Sequence, residues 1–261
     1  MNFDTSTPTL LGTGEVLTAP LSMGSHVVTL RVTDSLGETD TDNVVVDVVD
    51  STPPLLTCPA GAAEECQEDA SAILGLSMAT ADDRCDGQVA IQNDYTAGGP
   101  SASGRYPLGN TTVTFSSQDG SGNVASCETS VDVVDTTPPT LAVSVGSWIL
   151  WPPNHRMVPV DAVVDSMDAC QETVFVLASV VSSEPDDSPG VSDGRTLDDI
   201  QGVELETPDV GFLVRAERDG AGGGRFYTVT YRASDGSGNS TTAEARVVVP
   251  HDQGASPVAL P

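Results

Sequence analysis

The chain has 261 residues, with 38 acidic against 10 basic side chains, a formal net charge of −28, 25 glycines, 18 prolines and five cysteines. Every basic residue is Arg and Lys is absent, so no basic face exists for phosphate contacts and a general nucleic-acid binder is excluded. No apolar run reaches the ~18 residues of a membrane helix, and no stretch holds helical apolar spacing for long; the frequent Val, Thr, Ser and Gly fit short strands joined by tight turns.

The first segment, residues 1–50, has strand-like runs at Val16–Leu21, His26–Asp34 and Asn43–Val49, with alternate apolar residues in Val28–Val32 and Val44–Val48. Three strands are too few for a sandwich of about seven. The segment reads as the C-terminal half of a module whose open sheet edges invite pairing with another chain. The second segment, 51–136, has strand candidates at Leu55–Cys58, Ser71–Leu76, Val89–Asn93, Thr111–Ser116 and Cys127–Val134. The third, 137–253, reads as a larger module, followed by a tail at 254–261.

A repeat ties these segments together. Val48-Val-Asp-Ser-Thr-Pro-Pro54 recurs as Val133-Val-Asp-Thr-Thr-Pro-Pro139, so that Asp50 and Asp135 are separated by 85 residues, as are the turn residues Asp34 and Asp119. A third turn, Asp235-Gly-Ser-Gly-Asn239, is followed by another Val-rich run that stops at His251 without Pro-Pro. Fixed-period self-similarity marks a tandem array of modules. The Pro-Pro pairs restrict each linker towards extended geometry.

Cys58, Cys66, Cys85 and Cys127 fall in the second segment and Cys170 stands alone in the third. Four cysteines in one small module point to two disulfides and an oxidising compartment, and they allow three pairings. No Cys-x₂₋₄-Cys pair indicates zinc. The N-terminus has neither a charged nor an apolar leader region, so export requires that the chain be part of a larger precursor.

Thr57-Cys-Pro59, Glu65-Cys66, Asp83-Arg-Cys-Asp86, Tyr106-Pro-Leu-Gly-Asn-Thr-Thr-Val-Thr114, Asp119-Gly-Ser-Gly-Asn123 and Cys127 before Val131-Asp-Val-Val-Asp135 together resemble the hyalin repeat, or HYR, domain. That resemblance implies an immunoglobulin-like extracellular module associated with cell adhesion. In such a sandwich the early and late strands run side by side, which implies Cys58 with Cys127 and leaves Cys66 with Cys85. Residues 1–50 resemble the end of a PKD-like module. Leu150-Trp-Pro-Pro-Asn-His155, Ser183-Glu-Pro185, Arg215-Ala-Glu-Arg218 and Val249-Pro-His-Asp252 resemble a module found beside HYR repeats in secreted bacterial proteins; some relatives carry a second Cys where this chain has Tyr231-Arg-Ala, which leaves Cys170 without an evident local partner.

The acidic residues define the candidate site. If the third segment is a seven-stranded sandwich, its loop order gathers Glu184, Asp193, Asp198, Asp199 and Glu217 at one end, near Asp186 and Asp187. The Asp235–Asn239 hairpin then lies at the other end, near Asp135 and the Asp165–Asp168 loop. Crowded carboxylates repel one another, and Ca²⁺, a hard cation that takes oxygen ligands, would relieve that repulsion. The competing readings are an ordinary hairpin, with Gly supplying positive φ and Asp bonding the turn, and pairing of the acids with Arg215 and Arg218. Catalysis has little behind it: His26, His155 and His251 stand in unrelated settings, and no nucleophile elbow or His-Glu-x-x-His occurs. Trp148, Trp151, Phe226, Tyr227 and Tyr231 offer either core packing or a sugar-stacking platform.

The sequence therefore predicts an all-β chain of tandem immunoglobulin-like sandwiches strung end to end. Its expected role is a non-enzymatic, calcium-stiffened extracellular stalk or adhesive segment of a bacterial surface or secreted protein. Partners are an extracellular protein, a polysaccharide or copies of itself, with no nucleic acid and no membrane insertion. The alternatives are a targeting module of a secreted enzyme and a fibre subunit completed by strand exchange.

Overall fold

A computed structural model describes residues 9–187 and 194–252, and every regular element among them is a β-strand. Among the described residues no helix is long and apolar enough to cross a membrane. The all-β class expected from the Val/Thr-rich runs and Gly turns is the class observed. The chain divides into two compact units, one made of Met1–Ala60, Leu76–Ala102 and Thr112–Thr129, the other of Gly61–Gly75, Ser103–Thr111 and Ser130–Pro261.

The first unit opens with a two-stranded ribbon, β1 (Gly24–Thr33) against β2 (Thr39–Val48), in antiparallel register from Gly24↔Val48 to Thr33↔Thr39. Val16–Leu21, expected as a strand, is not one. Pro20 lacks a ladder donor, so the alternating Leu17, Ala19 and Leu21 do not settle into a paired strand. The ribbon's turn is held by Asp34, whose Oδ1 accepts the Leu36 and Glu38 amides at 2.8 and 2.9 Å. Val27 and Leu30 remain 68% and 62% exposed. Further along, β3 (Leu55–Thr57), β6 (Thr80–Asp83) and β7 (Gly87–Gln88) form one sheet. β8 (Ile91–Asn93) pairs with β10 (Gly109–Gln118) through Phe115↔Asn93. The buried residues here, Ala79, Ala81, Ala102, Val113 and Phe115, are small apart from Phe115, so little apolar area supports this unit without a covalent brace.

In the second unit β4 (Ala62–Glu65) pairs in parallel with the end of β11 (Val124–Val134), Val131 opposite Ala62. β5 (Ser71–Leu74) pairs with β9 (Gly104–Pro107). The rest is a sandwich. One sheet has the order β12 (Thr140–Val145), β13 (Met157–Met167), β16 (Gly211–Arg215), β15 (Ile200–Gln201); the other has β14 (Val174–Ser182), β17 (Gly224–Ser234), β18 (Ser240–Pro250). Between them Val160, Leu177, Phe212, Val214, Tyr227, Val229, Tyr231, Val247 and Val249 form one apolar core. The strict inside–outside alternation along β17 and β18 is the period of two that a half-buried strand requires.

Three hairpins carry the same turn. The residue three after the turn aspartate is Gly37, Gly122 or Gly238, at φ of 87°, 92° and 94°, a region that favours glycine.

Candidate functional site

Two disulfides brace the chain. Cys58 is bonded to Cys127, the pairing the immunoglobulin-like reading implies. Cys66 is bonded to Cys170, 104 residues away, and not to Cys85, which is free and exposed. The expected Cys66–Cys85 bridge is therefore corrected. Cys66 follows β4, which the parallel pairing with β11 aligns with the strand exit at 134; the Cys66 amide donates to the Val134 carbonyl at 2.7 Å. The Cys170 loop meets it there, with the Ala70 amide on the Cys170 carbonyl at 2.8 Å.

The first acidic cluster sits where β14, β16 and β17 end or begin. The structure brings Glu184, Asp199 and Glu217 together, but around guanidinium groups. Arg225, fully buried at the start of β17, contacts Glu184 Oε2 at 3.1 Å, Asp199 Oδ2 at a very short distance and Glu217 Oε1 at 3.6 Å. Arg215 adds Asp199 Oδ1 at 2.9 Å and Glu217 Oε2 at 3.8 Å. The positive charge assigned to Ca²⁺ at this end is thus supplied by two Arg side chains. Of the arginines expected to compete for these acids, Arg215 does so; Arg218 instead donates to the Pro250 and His251 carbonyls.

Asp186 accepts the Asp198 and Asp199 amides at 2.9 and 2.8 Å, which with Arg215 and Arg225 nearby holds its carboxyl below the usual range. The Asp198 side chain is exposed, on a residue at φ 60°, and Asp193 lies outside the described residues. Burial pushes the Glu217 carboxyl up, against hydrogen bonds from Thr196 and from His155 Nδ1 at 3.2 Å. The Tyr227 hydroxyl, buried against this network and donating to the Arg215 carbonyl at 2.8 Å, has its pKa raised to about 12. The network is a polar core threaded by Arg215 and Arg225, although Glu217 Oε1, 3.6 Å from Arg225, is buried without a hydrogen-bond donor. Tyr227 and Tyr231 are fully buried, which removes both from the sugar-stacking platform.

The second cluster has no such compensation. Asp135, Asp168 and Asp235 each stand one residue beyond the end of a long strand, β11, β13 and β17 respectively. One oxygen from each lies within 4.8 Å of the others. Asp235 Oδ1 accepts the Ser237 and Asn239 amides at 2.9 Å each, and Asp168 Oδ1 accepts those of Cys170 and Gln171 at 2.7 and 3.0 Å. Asn239 is a strut: its Nδ2 donates to Asp235 Oδ2 and to the Asp135 carbonyl, both at 3.0 Å. Asp135 Oδ2 is buried with no donor. Burial, with the charges of Asp168 and Asp235 behind it, keeps the Asp135 carboxyl above its ordinary value against the pull of Ser237 and the Thr137 amide. Burial also acts on Asp235, but the Asn239 side chain and the turn amides outweigh it and leave that carboxyl below the usual range. The sequence placed Asp135 and Asp235 in this cluster and named the loop of Asp168, without assigning Asp168 as a ligand.

The same frame occurs once more, in the first unit. Asp50, Asp83 and the Cys85 thiol converge within 4.8 Å. Asp50 Oδ2 is buried without a donor, and Asn123 Nδ2 reaches the Asp50 carbonyl at 3.3 Å while gripping Asp119 Oδ2 at 2.7 Å.

Comparison with known proteins bears on the stretch that holds this frame. The chain is similar to hyalin of Strongylocentrotus purpuratus, 34% identical over 128 residues, and to hyalin of Lytechinus variegatus, 32% identical over 129 residues. The matches cover 47% and 46% of this chain but only 10% and 23% of the two hyalins. Among solved structures, a protocadherin PcdhgB3 EC1-4 fragment aligns over 89% of this chain and 59% of its own, at 18% identity and a TM-score of 0.35. Mouse Cadherin-23 EC22-24 aligns over 87% and 73%, at 14% identity and a TM-score of 0.33. Residues 49–133 match the family model of the HYR domain, a stretch that contains the Asp50–Asp83–Cys85 frame and reaches Val133, in the part of β11 that pairs with β4.

Proposed function

We propose that this chain is a non-enzymatic extracellular structural and adhesive segment, in which covalently braced β-modules transmit tension between a surface and a partner. The observation that carries it is the interleaving of the two disulfides. Cys58–Cys127 and Cys66–Cys170 overlap in sequence, so a pull on the chain is carried through Cys66 directly to Cys170. One of these cysteines lies inside the HYR-matched residues 49–133 and the other beyond them, so the bond passes load out of the HYR stretch. Disulfides persist in oxidising compartments, which agrees with an extracellular site of action. Calcium-assisted stiffening, a bacterial surface or secreted origin, and binding to an extracellular protein or polysaccharide belong to this reading.

A second reading, self-assembly by strand exchange, is favoured by the β1–β2 ribbon. Val44, opposite Val28 in the register, shares one face of the ribbon with Leu30 and Val32, and all three are exposed, an apolar face that a sheet from another copy would cover.

Beads coated with the oxidised chain and challenged under shear with matrix proteins, polysaccharides and the chain itself test the proposal. Retention on one of the first two, lost on reduction of the disulfides, supports the adhesive segment. Retention only on the chain itself, with mass rising with concentration, favours assembly. No retention on any surface contradicts both.

A further inference from the structure

We propose that Asp135, Asp168 and Asp235 form a binding site for a divalent, oxygen-preferring cation of the Ca²⁺ type. The inference rests on the structural reading above and gives its calcium a place. Ca²⁺ binds oxygens at about 2.3–2.6 Å, so oxygens within 4.8 Å of one another can share one ion without movement of the backbone. Mg²⁺, which needs about 2.0–2.1 Å and near-octahedral order, fits the same oxygens only if they close up.

Three observations point to a ligand and not to a mere crowd of acids. Asp135 is 9% exposed; its Oδ1 accepts the Thr137 amide at 3.4 Å, while its buried Oδ2 has no donor. Leaving such an oxygen unmatched is costly unless something else meets it. Among the described residues no Arg or His forms an ion pair with any of the three, whereas the Glu184–Asp199–Glu217 cluster is threaded by Arg215 and Arg225. The same protein thus neutralises one buried acidic cluster with its own side chains and leaves the other open. Third, the geometry is held: the three carboxylates sit directly beyond strand ends, Asp168 and Asp235 are fixed by two amides each, and Asn239 ties the Asp235 hairpin to the Asp135 carbonyl.

Equilibrium dialysis and calorimetry with CaCl₂ on the full oxidised chain, after removal of metal by a chelator, test the site. Asp135→Asn keeps the shape of the side chain and Asp168→Asn keeps the turn acceptor, so both are compared with the wild type and with Asp47→Asn, an exposed acid on β2. The expected result is saturable binding by the wild type and by Asp47→Asn. Either cluster variant then loses one equivalent of bound ion, or binds it at least tenfold more weakly, and loses the rise in melting temperature that Ca²⁺ gives the wild type. Wild type and Asp135→Asn with the same stoichiometry and affinity would overturn the proposal, as would no saturable binding by a wild-type chain whose circular dichroism shows it folded. Because ion binding is read in solution without an adhesive partner, failure of the shear assay leaves this result standing, and the converse holds too. If Asp135→Asn fails to fold, Asp168→Asn carries the comparison.

Discussion

Cys85 and Cys170, separated by 85 residues, occupy the same local frame: each amide donates to Oδ1 of the aspartate two residues before it, Asp83 or Asp168, at 2.7 Å. The amide that follows, of Asp86 or Gln171, donates to the same oxygen at 3.0 Å. In one frame the sulfur is bonded to Cys66; in the other it is free and exposed. Local loss of hydration raises the Cys85 thiol pKa although the residue as a whole is exposed, and the nearby Asp50, Asp83 and Asp86 charges raise it further, so little reactive thiolate forms at neutral pH. The native oxidised chain is expected to react with one equivalent of a maleimide, slowly at neutral pH and faster as pH rises. Mass mapping should place the label on Cys85; label on Cys66 or Cys170 would contradict the pairing.

The Cys66–Cys170 bond closes a span of 104 residues, for which the chain-entropy model gives a contribution of roughly 3–5 kcal/mol. Cys170→Ser is expected to lower the denaturant midpoint substantially, while Cys85→Ser changes stability by less than about 0.5 kcal/mol, as for an exposed surface position. Urea unfolding followed by circular dichroism distinguishes them; equal losses would refute the asymmetry.

Arg225 is the hub of the Glu184–Asp199–Glu217 cluster. Arg225→Met leaves Glu184, Asp199 and Glu217 short of a counter-charge, and breaking a buried pair in this way costs about 3–5 kcal/mol. The lost stability should return in part on acidification, as the carboxylates protonate. An unfolding midpoint that does not move at neutral pH would show that the network contributes nothing.

The two asparagine struts should behave alike. Asn239→Ala and Asn123→Ala each remove a donor shared between a hairpin aspartate and the carbonyl of Asp135 or Asp50. Each is expected to cost about 1–2 kcal/mol in chemical denaturation; a loss in only one would show that the two frames are not energetically equivalent.

The pH dependence in chelator follows from the signs of the shifts. Asp135 and Glu217 have raised carboxyl pKa values. Their ionised forms therefore oppose folding, and stability rises as pH falls from neutral through those raised values, because the folded state takes up protons first. Asp119, Asp186 and Asp235 are lowered; their contribution is present above the ordinary carboxylate range and is lost as pH falls through their folded values. Unfolding midpoints should therefore pass through a maximum in mild acid. Asp135→Asn should reduce the rise on the neutral side of that maximum and leave the acid-side loss in place.

Much of this was legible in the chain because turns are local. Asp and Gly set three residues apart specify the three hairpins, and the 85-residue period puts Asp50 and Asp135 in equivalent places. The acidic ends were legible once strand order was assumed, since loops on alternate strand ends gather at opposite poles. The Cys66–Cys170 bond was not, because grouping cysteines by segment favours the short loop to Cys85; yet Asp83-x-Cys85 and Asp168-x-Cys170 already repeat at the same period and mark the two cysteines as equivalents. Parallel β4 was missed because Ala62-Ala-Glu-Glu65 has neither β-branched residues nor alternation, and it is a strand only through the main-chain ladder it forms with Val131–Val134. The burial of Arg225 is a tertiary event: only the assembled β17 places its guanidinium among three acids drawn from distant loops.

Pulling single molecules from both ends tests the central claim, that the chain bears tension through its covalent braces. In the oxidised chain the taut route leaves Cys66 for Cys170 and skips a separation of 104 residues. At about 3.3–3.6 Å per extended residue, reduction is expected to lengthen the fully stretched chain by roughly 350 Å. The same stretched length before and after reduction would contradict the account.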